Sequence, residues 1–355
     1  MRKTTFRSRL KRYNILQRFF RDPITKKIRR HTLKRIFNLF LVFLSRRIKS
    51  PYVLGYPYNI IIEPTNICTL SCPLCPSGNQ MMKRKRGMMK YEDFKKIIDQ
   101  TGDFLYQIGL MNYGESLLNP QLFQMIEYAN KHNISTILST NAQFLNQENA
   151  KKLVHSGLDL LSISLDGASP QTYVQYRVKG DFEKTLENIR YLVEKRNEWK
   201  SDLFIDLGFL VMKHNEKEID KAKKLALDLG VDNFSLVKLS LIDYREIPLD
   251  EALKFLPEQE IYSRYKIVRG KLELNRKEKK NNTCIWAWDR MVINWDGSVC
   301  PCCVDYDCQY YMGNFFETGW KKIWNNERYI NLRKQILKNK NKLRVCSNCS
   351  ASIED

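Results

Sequence analysis

Glu63-Pro64-Thr65-Asn66-Ile67-Cys68-Thr69-Leu70-Ser71-Cys72-Pro73-Leu74-Cys75-Pro76 sets three thiols four and three residues apart, directly after an apolar run. Steps of four and three are helical, so one reading is a helix with its cysteines on one face. Pro73 and Pro76 would interrupt the hydrogen bonds of such a helix, which favours a loop. Three thiols on one loop imply a metal, because iron-sulfur clusters are held by cysteine thiolates at short spacings, usually four of them. This segment offers three, and an iron lacking a protein ligand is an open position at which chemistry can occur.

Around that loop, 355 residues leave room for a sizeable core and two domains. Charge is uneven: residues 1–50 hold 17 Lys or Arg against Asp22 alone, so this arm carries +16 of the net +21. A nucleic-acid footprint spread over the fold is therefore not implied. None of the ten cysteines lies between Cys75 and Cys284, a distribution that suits two metal sites in a reducing compartment better than a disulfide framework. A cytoplasmic protein is expected, since the basic lead has no small-residue cleavage site. The apolar run Ile36 to Leu44, interrupted by Asn38, is nine residues long against the ~20 of a spanning helix.

The arm predicts helices over Leu10 to Phe20 and Leu33 to Ile48, separated by Pro23 and ended by Pro51. The second is apolar nearly all round and flanked by Lys34, Arg35, Arg46 and Arg47. It suits either contact with an anionic membrane surface or packing on the following domain.

From Tyr58 the chain takes a βα rhythm. Strands are expected at Tyr58 to Glu63, Phe104 to Met111, Ile134 to Leu138, Leu160 to Leu165, Phe204 to Met212 and Phe234 to Leu239. Helices are expected at Tyr91 to Thr101, Pro120 to Lys131, Pro170 to Arg177, Phe182 to Trp199 and Ile219 to Leu229. The alternation predicts an α/β fold with a parallel sheet, two units short of a full barrel of eight. Barrel logic puts active residues at the carboxyl ends of strands, where Gly114-Glu115, Ser139, Asn141, Ser164 and Asp166 stand, with Arg177 thirteen residues after Ser164. Singly, Gly114 reads as a turn, Asn141 as a helix cap and Asp166-Gly167 as a loop. Arg245 to Asn282, with Pro248, Pro257 and alternating charge, reads as a solvated linker. Lys83-Arg84-Lys85-Arg86 reads as a solvated face suited to steering an acidic substrate or redox partner.

A second cysteine group follows the linker. Cys284 precedes two short strands joined by an Asp296-Gly297 turn, then Cys300-Pro301-Cys302-Cys303 and Cys308, a helical stretch Trp320 to Ile336, and Cys346-Ser347-Asn348-Cys349. Hairpin cysteines with a Cys-x-x-Cys pair form a four-ligand set, for a cluster or for a zinc ribbon. Asp305 is a candidate base with a plain loop reading beside it. The sequence contains no dinucleotide or phosphate-binding glycine motif, and His31, His132, His155 and His214 have no paired ligand spacing.

The Cys68, Cys72, Cys75 spacing resembles the signature of radical S-adenosylmethionine (SAM) enzymes, and the second group resembles the SPASM or twitch extension that carries auxiliary clusters. The resemblance implies a partial (β/α)6 TIM barrel over 51–245, a linker over 246–283 and an auxiliary iron-sulfur domain over 284–355. It implies a [4Fe-4S] cluster on Cys68, Cys72 and Cys75 whose fourth iron is chelated by SAM. The cofactor would be positioned by Leu74, Gly114, Glu115, Ser139, Asn141, Ser164, Asp166 and Arg177. Tyr113 replaces the first glycine of the family's Gly-Gly-Glu turn, and Leu74 stands where an aromatic is common. An auxiliary [4Fe-4S] cluster would use Cys284, Cys302, Cys346 and Cys349; Cys300 and Cys303 compete for the second role, and Cys302 is chosen because it follows Gly297 at the family's interval. Implied partners are a small-molecule, sugar or peptide substrate and a flavodoxin or ferredoxin-type electron donor. The activity expected is hydrogen abstraction, as alcohol dehydrogenation or as peptide modification. The competing readings are a colourless zinc-binding adaptor and an RNA-modifying radical enzyme.

Overall fold

The computed structural model describes residues 31–241, 247–275, 284–347 and 349. The expected helix Leu10 to Phe20 lies outside them. The first described helix is α1 (Leu33–Arg47), followed by β1 (Asn59–Ile62), α2 (Tyr91–Thr101), β2 (Gln107–Leu110), α3 (Leu122–Lys131) and β3 (Ser135–Thr140). Then come α4 (Gln147–His155), β4 (Leu160–Ser164), α5 (Pro170–Tyr176), α6 (Phe182–Glu198), β5 (Phe204–Val211), α7 (Ile219–Leu229) and β6 (Asn233–Lys238). β1 to β6 are adjacent and parallel in chain order, as the βα rhythm predicts. Their inward Ile60, Ile62, Ile108, Leu110, Leu138, Leu161, Ile163 and Ile205 are buried in one core. That burial is the main force holding the sheet to its helices.

α4 was not expected from the sequence. Its apolar stripe is only Ala150, Leu153 and Val154, and the usable signal was Asn146, whose side chain caps the first turn by accepting from the Asn149 N–H.

The segment expected to be a solvated linker is partly folded. It forms α8 (Leu249–Phe255) and an antiparallel hairpin of β7 (Tyr265–Val268) and β8 (Lys271–Leu274). Ala252, Phe255, Leu256, Tyr265 and Leu274 are spaced among charges, so no apolar run is visible, yet all are buried against Leu70, Cys72, Leu74 and Tyr176. The linker thus walls the cysteine loop on its apolar side. Residues 276–283, the most charged part of the expected loop, lie outside the described residues.

The C-terminal part comprises α9 (Trp286–Asp289), β9 (Arg290–Ile293), β10 (Ser298–Cys300), β11 (Gly313–Asn314) and the helices α10 (Phe315–Thr318), α11 (Trp320–Trp324), α12 (Glu327–Asn339) and α13 (Arg344–Ser347). β9 and β10 are the expected hairpin, with Gly297 at φ +82° in the turn. The expected single helix is split at Asn325-Asn326, because Asn326 caps a new helix by accepting from the Tyr329 N–H (3.0 Å). β9 also pairs in parallel with β1, Ile60 opposite Met291 and Ile62 opposite Ile293. The sheet therefore runs β11-β10-β9-β1-β2-β3-β4-β5-β6 through both halves of the chain.

Asp289 sits at this junction, fully buried, accepting from Tyr58 Oη (2.8 Å) with Arg46 at 3.8 Å. Burial raises its pKa to about 6, against the lowering pull of Arg290, Tyr58 and Arg46. The folded state thus keeps a proton that the unfolded chain, with a carboxyl near 4, releases. This favours folding below about pH 4 and is lost as pH rises through about 6. Asp289→Asn is expected to gain on the wild type by up to ~3 kcal/mol at neutral pH and by little in acid. Denaturant unfolding at two pH values checks it, and equal differences at both would refute the assignment.

Candidate active site

The chain leaves β1 at Glu63 and enters the cysteine loop, which packs tightly on itself. Cys75 N–H donates to the Cys72 carbonyl (3.2 Å) and Gly78 N–H to that of Cys75 (2.8 Å). A Cβ at Gly78 would lie 2.5 Å from the Cys72 nitrogen, so only glycine lets the loop close there. Ser71 N–H donates to the Val178 carbonyl (3.0 Å), tying the loop to the segment just past α5.

In the basic run after the loop one side chain, Arg84, is turned inward, which corrects the solvated-face reading at that position. Arg84 forms a fork on the buried Glu63 carboxylate (2.9 and 3.0 Å), and Arg86 donates to the carbonyls of Asn66 (2.7 Å) and Ser77 (3.2 Å). Lys83, Lys85 and Arg86 are exposed. Arg84 also reaches the Tyr306 carbonyl (2.6 Å), and Asp307 accepts from the Lys83 N–H (2.8 Å), so this run staples the cysteine loop to the C-terminal turn.

Cys68, Cys72 and Cys75 line one cavity of about 200 Å³ together with Gly114, Glu115, Ser139, Asn141, Ser164 and Arg177. Gly114 has φ +112° and its Cα lies so close to Thr65 that an added Cβ would sit 2.4 Å from the Thr65 oxygen. That approach lets Glu115 N–H donate to the Ile67 carbonyl (2.8 Å). The buried Glu115 carboxylate accepts from Thr140 Oγ1 (2.8 Å), Asn141 N–H (2.8 Å) and Leu117 N–H (3.1 Å). It thereby joins the ends of β2 and β3, leaving room for about one further donor. Burial pushes its pKa up against those three donors. Asn141 Nδ2 lies 3.8 Å from Cys68 Sγ, and Arg177 Nη1 lies 3.9 Å from Cys72 Sγ.

Arg177 points its Nε and Nη2 at Asp166 (2.6 and 2.5 Å). Asp166 also accepts from the Leu210 N–H (2.9 Å) and stands behind Arg177 rather than on the cavity wall. Leu74 is likewise off the wall, buried with Leu70, Cys72 and Tyr176. Sequence reasoning missed Asn112, Tyr176 and Leu210 on the wall. Asn112 had a usable signal, standing two residues past β2, and Tyr176 adjoins Arg177. Leu210 had none.

Two of the thiols are held protonated by their surroundings: burial pushes Cys72 up to about 12, opposed by Arg177, and raises Cys68 as well. A bound metal would displace those protons. Among the described residues no three Cys, His, Asp or Glu side chains converge on a point as ligands of one ion do. Three thiols lining one cavity are the donor set of an iron-sulfur cluster that is one protein ligand short.

In the C-terminal group, burial, joined by the charges of Cys302 and Cys349, raises Cys284 to about 12. Cys346 is raised by burial and then by Cys284, Cys302 and Cys349, so these four thiols share one neighbourhood. Cys300 pairs instead with Cys308 (Cα–Cα 5.5 Å), which leaves Cys303 as the rival of Cys302. The Asp305 carboxylate accepts from the N–H groups of Gln309 and Tyr310 (both 2.8 Å), so it anchors the turn rather than serving as a free base. Between the groups, Tyr113 packs with Met82, Tyr306 and Cys75 and donates its hydroxyl to the Cys303 carbonyl (2.9 Å).

A family model described as the radical SAM superfamily matches residues 62–237, and one described as an iron-sulfur cluster-binding domain, SPASM, matches 284–350. The chain belongs to the radical SAM superfamily. Its members are enzymes, and the two matched domains imply a SAM-binding [4Fe-4S] cluster with auxiliary iron-sulfur binding. This radical SAM chain is 28% identical, over 76% of its length and 81% of the relative's, to a tungsten-containing aldehyde ferredoxin oxidoreductase cofactor-modifying protein of Pyrococcus furiosus. It is 25% identical, over 76% of its length, to the antilisterial bacteriocin subtilosin biosynthesis protein AlbA of Bacillus subtilis, of which it spans 60%. Its fold is similar to that of Streptococcus suis SuiB bound to precursor peptide SuiA, with TM-score 0.60 at 17% identity over 86% of this chain and 72% of that one.

Proposed function

We propose that this radical SAM enzyme abstracts a hydrogen atom from a peptide or protein side chain. The observation that carries the site assignment is the shared cavity, in which Cys68, Cys72 and Cys75 face Gly114, Glu115, Ser139, Asn141, Ser164 and Arg177 at the ends of parallel strands. Held by Cys68, Cys72 and Cys75, a [4Fe-4S] cluster would supply the electron that breaks the C5'–S bond of SAM, giving methionine and the 5'-deoxyadenosyl radical that takes the substrate hydrogen. This chain's residues would hold and orient the cofactor: the Gly114 carbonyl and Glu115 take its ammonium, and Arg177, set by Asp166, faces its carboxylate. Cys284, Cys302, Cys346 and Cys349 would hold one auxiliary cluster.

The relatives named for bacteriocin biosynthesis and bound to a precursor peptide support a peptide substrate. So does β6, one edge strand of the sheet, whose own Leu236 and Val237 are exposed. The electron would come from a flavodoxin or ferredoxin-type protein in a reducing, cytoplasmic setting, drawn to the outward Lys83 and Lys85.

The test uses extract from cells grown on deuterated medium, split into peptide and small-molecule fractions and offered to the anaerobically reconstituted enzyme with dithionite and SAM. Deuterium in 5'-deoxyadenosine with the peptide fraction is the expected result. Label arising only from the small-molecule fraction would replace this reading with oxidation of a sugar or cyclitol alcohol.

A further inference from the structure

α1 is built with its polar side inward. Its buried positions are Arg35, Asn38, Val42 and Ser45, spaced three, four and three residues apart on one face. The polar ones are used. Arg35 donates to the carbonyls of Asn133 (2.8 Å), Gly102 (2.8 Å) and His132 (3.0 Å), closing the ends of α2 and α3. Asn38 exchanges hydrogen bonds with the Tyr56 backbone (2.7 and 3.0 Å), and Ser45 Oγ accepts from the Leu54 N–H (2.9 Å). α1 is therefore fixed to the fold by its polar stripe.

The opposite face is left apolar. Leu33, Ile36, Phe37, Phe40, Phe43 and Ile48 are 49% to 87% exposed, and Tyr52 and Leu54 continue the surface beyond the helix. Scattered exposed apolar residues are ordinary, but a contiguous patch with several phenylalanines marks a contact site. Its charge setting selects the occupant. Residues 1–50 carry +16, with Arg47 and Lys49 exposed at the end of the patch. A second copy would bring two such charges together, whereas an anionic surface is attracted by them. The helix has 15 residues, short of the ~20 needed to span a bilayer, and no helix among the described residues is long and apolar enough to cross one. A short helix with an apolar face and basic flanks lies in the plane of the headgroups.

We propose that the outward face of α1 docks this enzyme on an anionic phospholipid surface, its phenylalanines entering the headgroup boundary and its basic flanks attracting the lipid phosphates. The inference is independent of the substrate reading, because Gly102, His132, Asn133, Tyr56 and Leu54, to which the inward polar side chains of α1 bond, do not line the cavity.

The experiment is co-sedimentation of the reconstituted full chain with phosphatidylcholine vesicles, with and without phosphatidylglycerol. The triple variant Phe37→Ser, Phe40→Ser, Phe43→Ser runs alongside, and 5'-deoxyadenosine formation serves as its folding control. Wild type should bind the phosphatidylglycerol vesicles and persist in part at high salt, with the triple variant weaker by about tenfold or more. Failure of wild type to sediment overturns the proposal. Equal binding by the variant overturns it too, because charge alone would then suffice. A wild-type dimer that the triple variant dissolves, with no vesicle binding by either, assigns the face to a second copy instead.

Discussion

Serine in place of Cys72 is expected to abolish SAM cleavage while the auxiliary iron stays bound. Cys72 is the most enclosed of the three loop thiols, with the Gly78 backbone packed over it and Arg177 Nη1 at 3.9 Å from its sulfur. A hydroxyl fits the space but is a poor iron ligand, and two thiols do not hold a cluster that is already one protein ligand short. The rate of 5'-deoxyadenosine formation with dithionite should fall about 10³-fold or more, on the order of 4 kcal/mol in the barrier. Iron per chain should fall by the share belonging to that site. Cys346→Ser supplies the contrast, losing iron from the other site and keeping cleavage of the cofactor. Unchanged iron with normal turnover in Cys72→Ser would remove the basis of the proposed function.

Asp166→Asn should lower both SAM affinity and stability, although Asp166 stands off the cavity wall. Burial, the largest single influence on Arg177, would lower its pKa, but Asp166 leads the groups that together turn the net direction up. Asp166 is therefore the main countercharge of a buried guanidinium. Removing one partner of such a pair leaves an unpaired interior charge, at a cost on the order of 3–5 kcal/mol. The asparagine keeps an oxygen for the Leu210 N–H, so the strand contact survives. Arg177→Lys separates positioning from scaffolding: it keeps the charge and loses the planar fork. We expect Asp166→Asn and Arg177→Lys each to weaken SAM binding about tenfold or more, measured by equilibrium binding to the holoenzyme with its cluster oxidised, so that SAM is not cleaved. Normal affinity in both variants, with only a lowered melting temperature, would confine the pair to a structural role.

Much of the barrel was legible because its strands are short β-branched and leucine-rich runs bounded by helices with clear ends. α7, for example, stops where Gly230 takes φ +73°. The residues at the strand ends were legible for the same reason: once the rhythm is known, topology brings Gly114, Asn141 and Ser164 to one side. Three things were not. The buried side chains of α8 and the β7–β8 hairpin are diluted by charges, and their partners lie some 200 residues back around Cys72, so no local pattern exposes them. The inverted face of α1 was hidden because the run looks apolar all round; that Arg35 and Asn38 would turn inward depends on carbonyls from three separated segments. The inward turn of Arg84 depends on Glu63, twenty-one residues earlier, which no charge count reveals.

The parallel ladder between β1 and β9 has a bearing on how such chains can be cut and recombined. Deleting the residues after the linker would strip β1 of its neighbour and bare a row of backbone donors and acceptors beside Ile60 and Ile62, an invitation to aggregation. The C-terminal part is thus not a detachable accessory that could be swapped onto another barrel at a linker boundary. Any chimera would have to carry the β1 strand, its thiol loop and the β9 hairpin together as a single inherited piece.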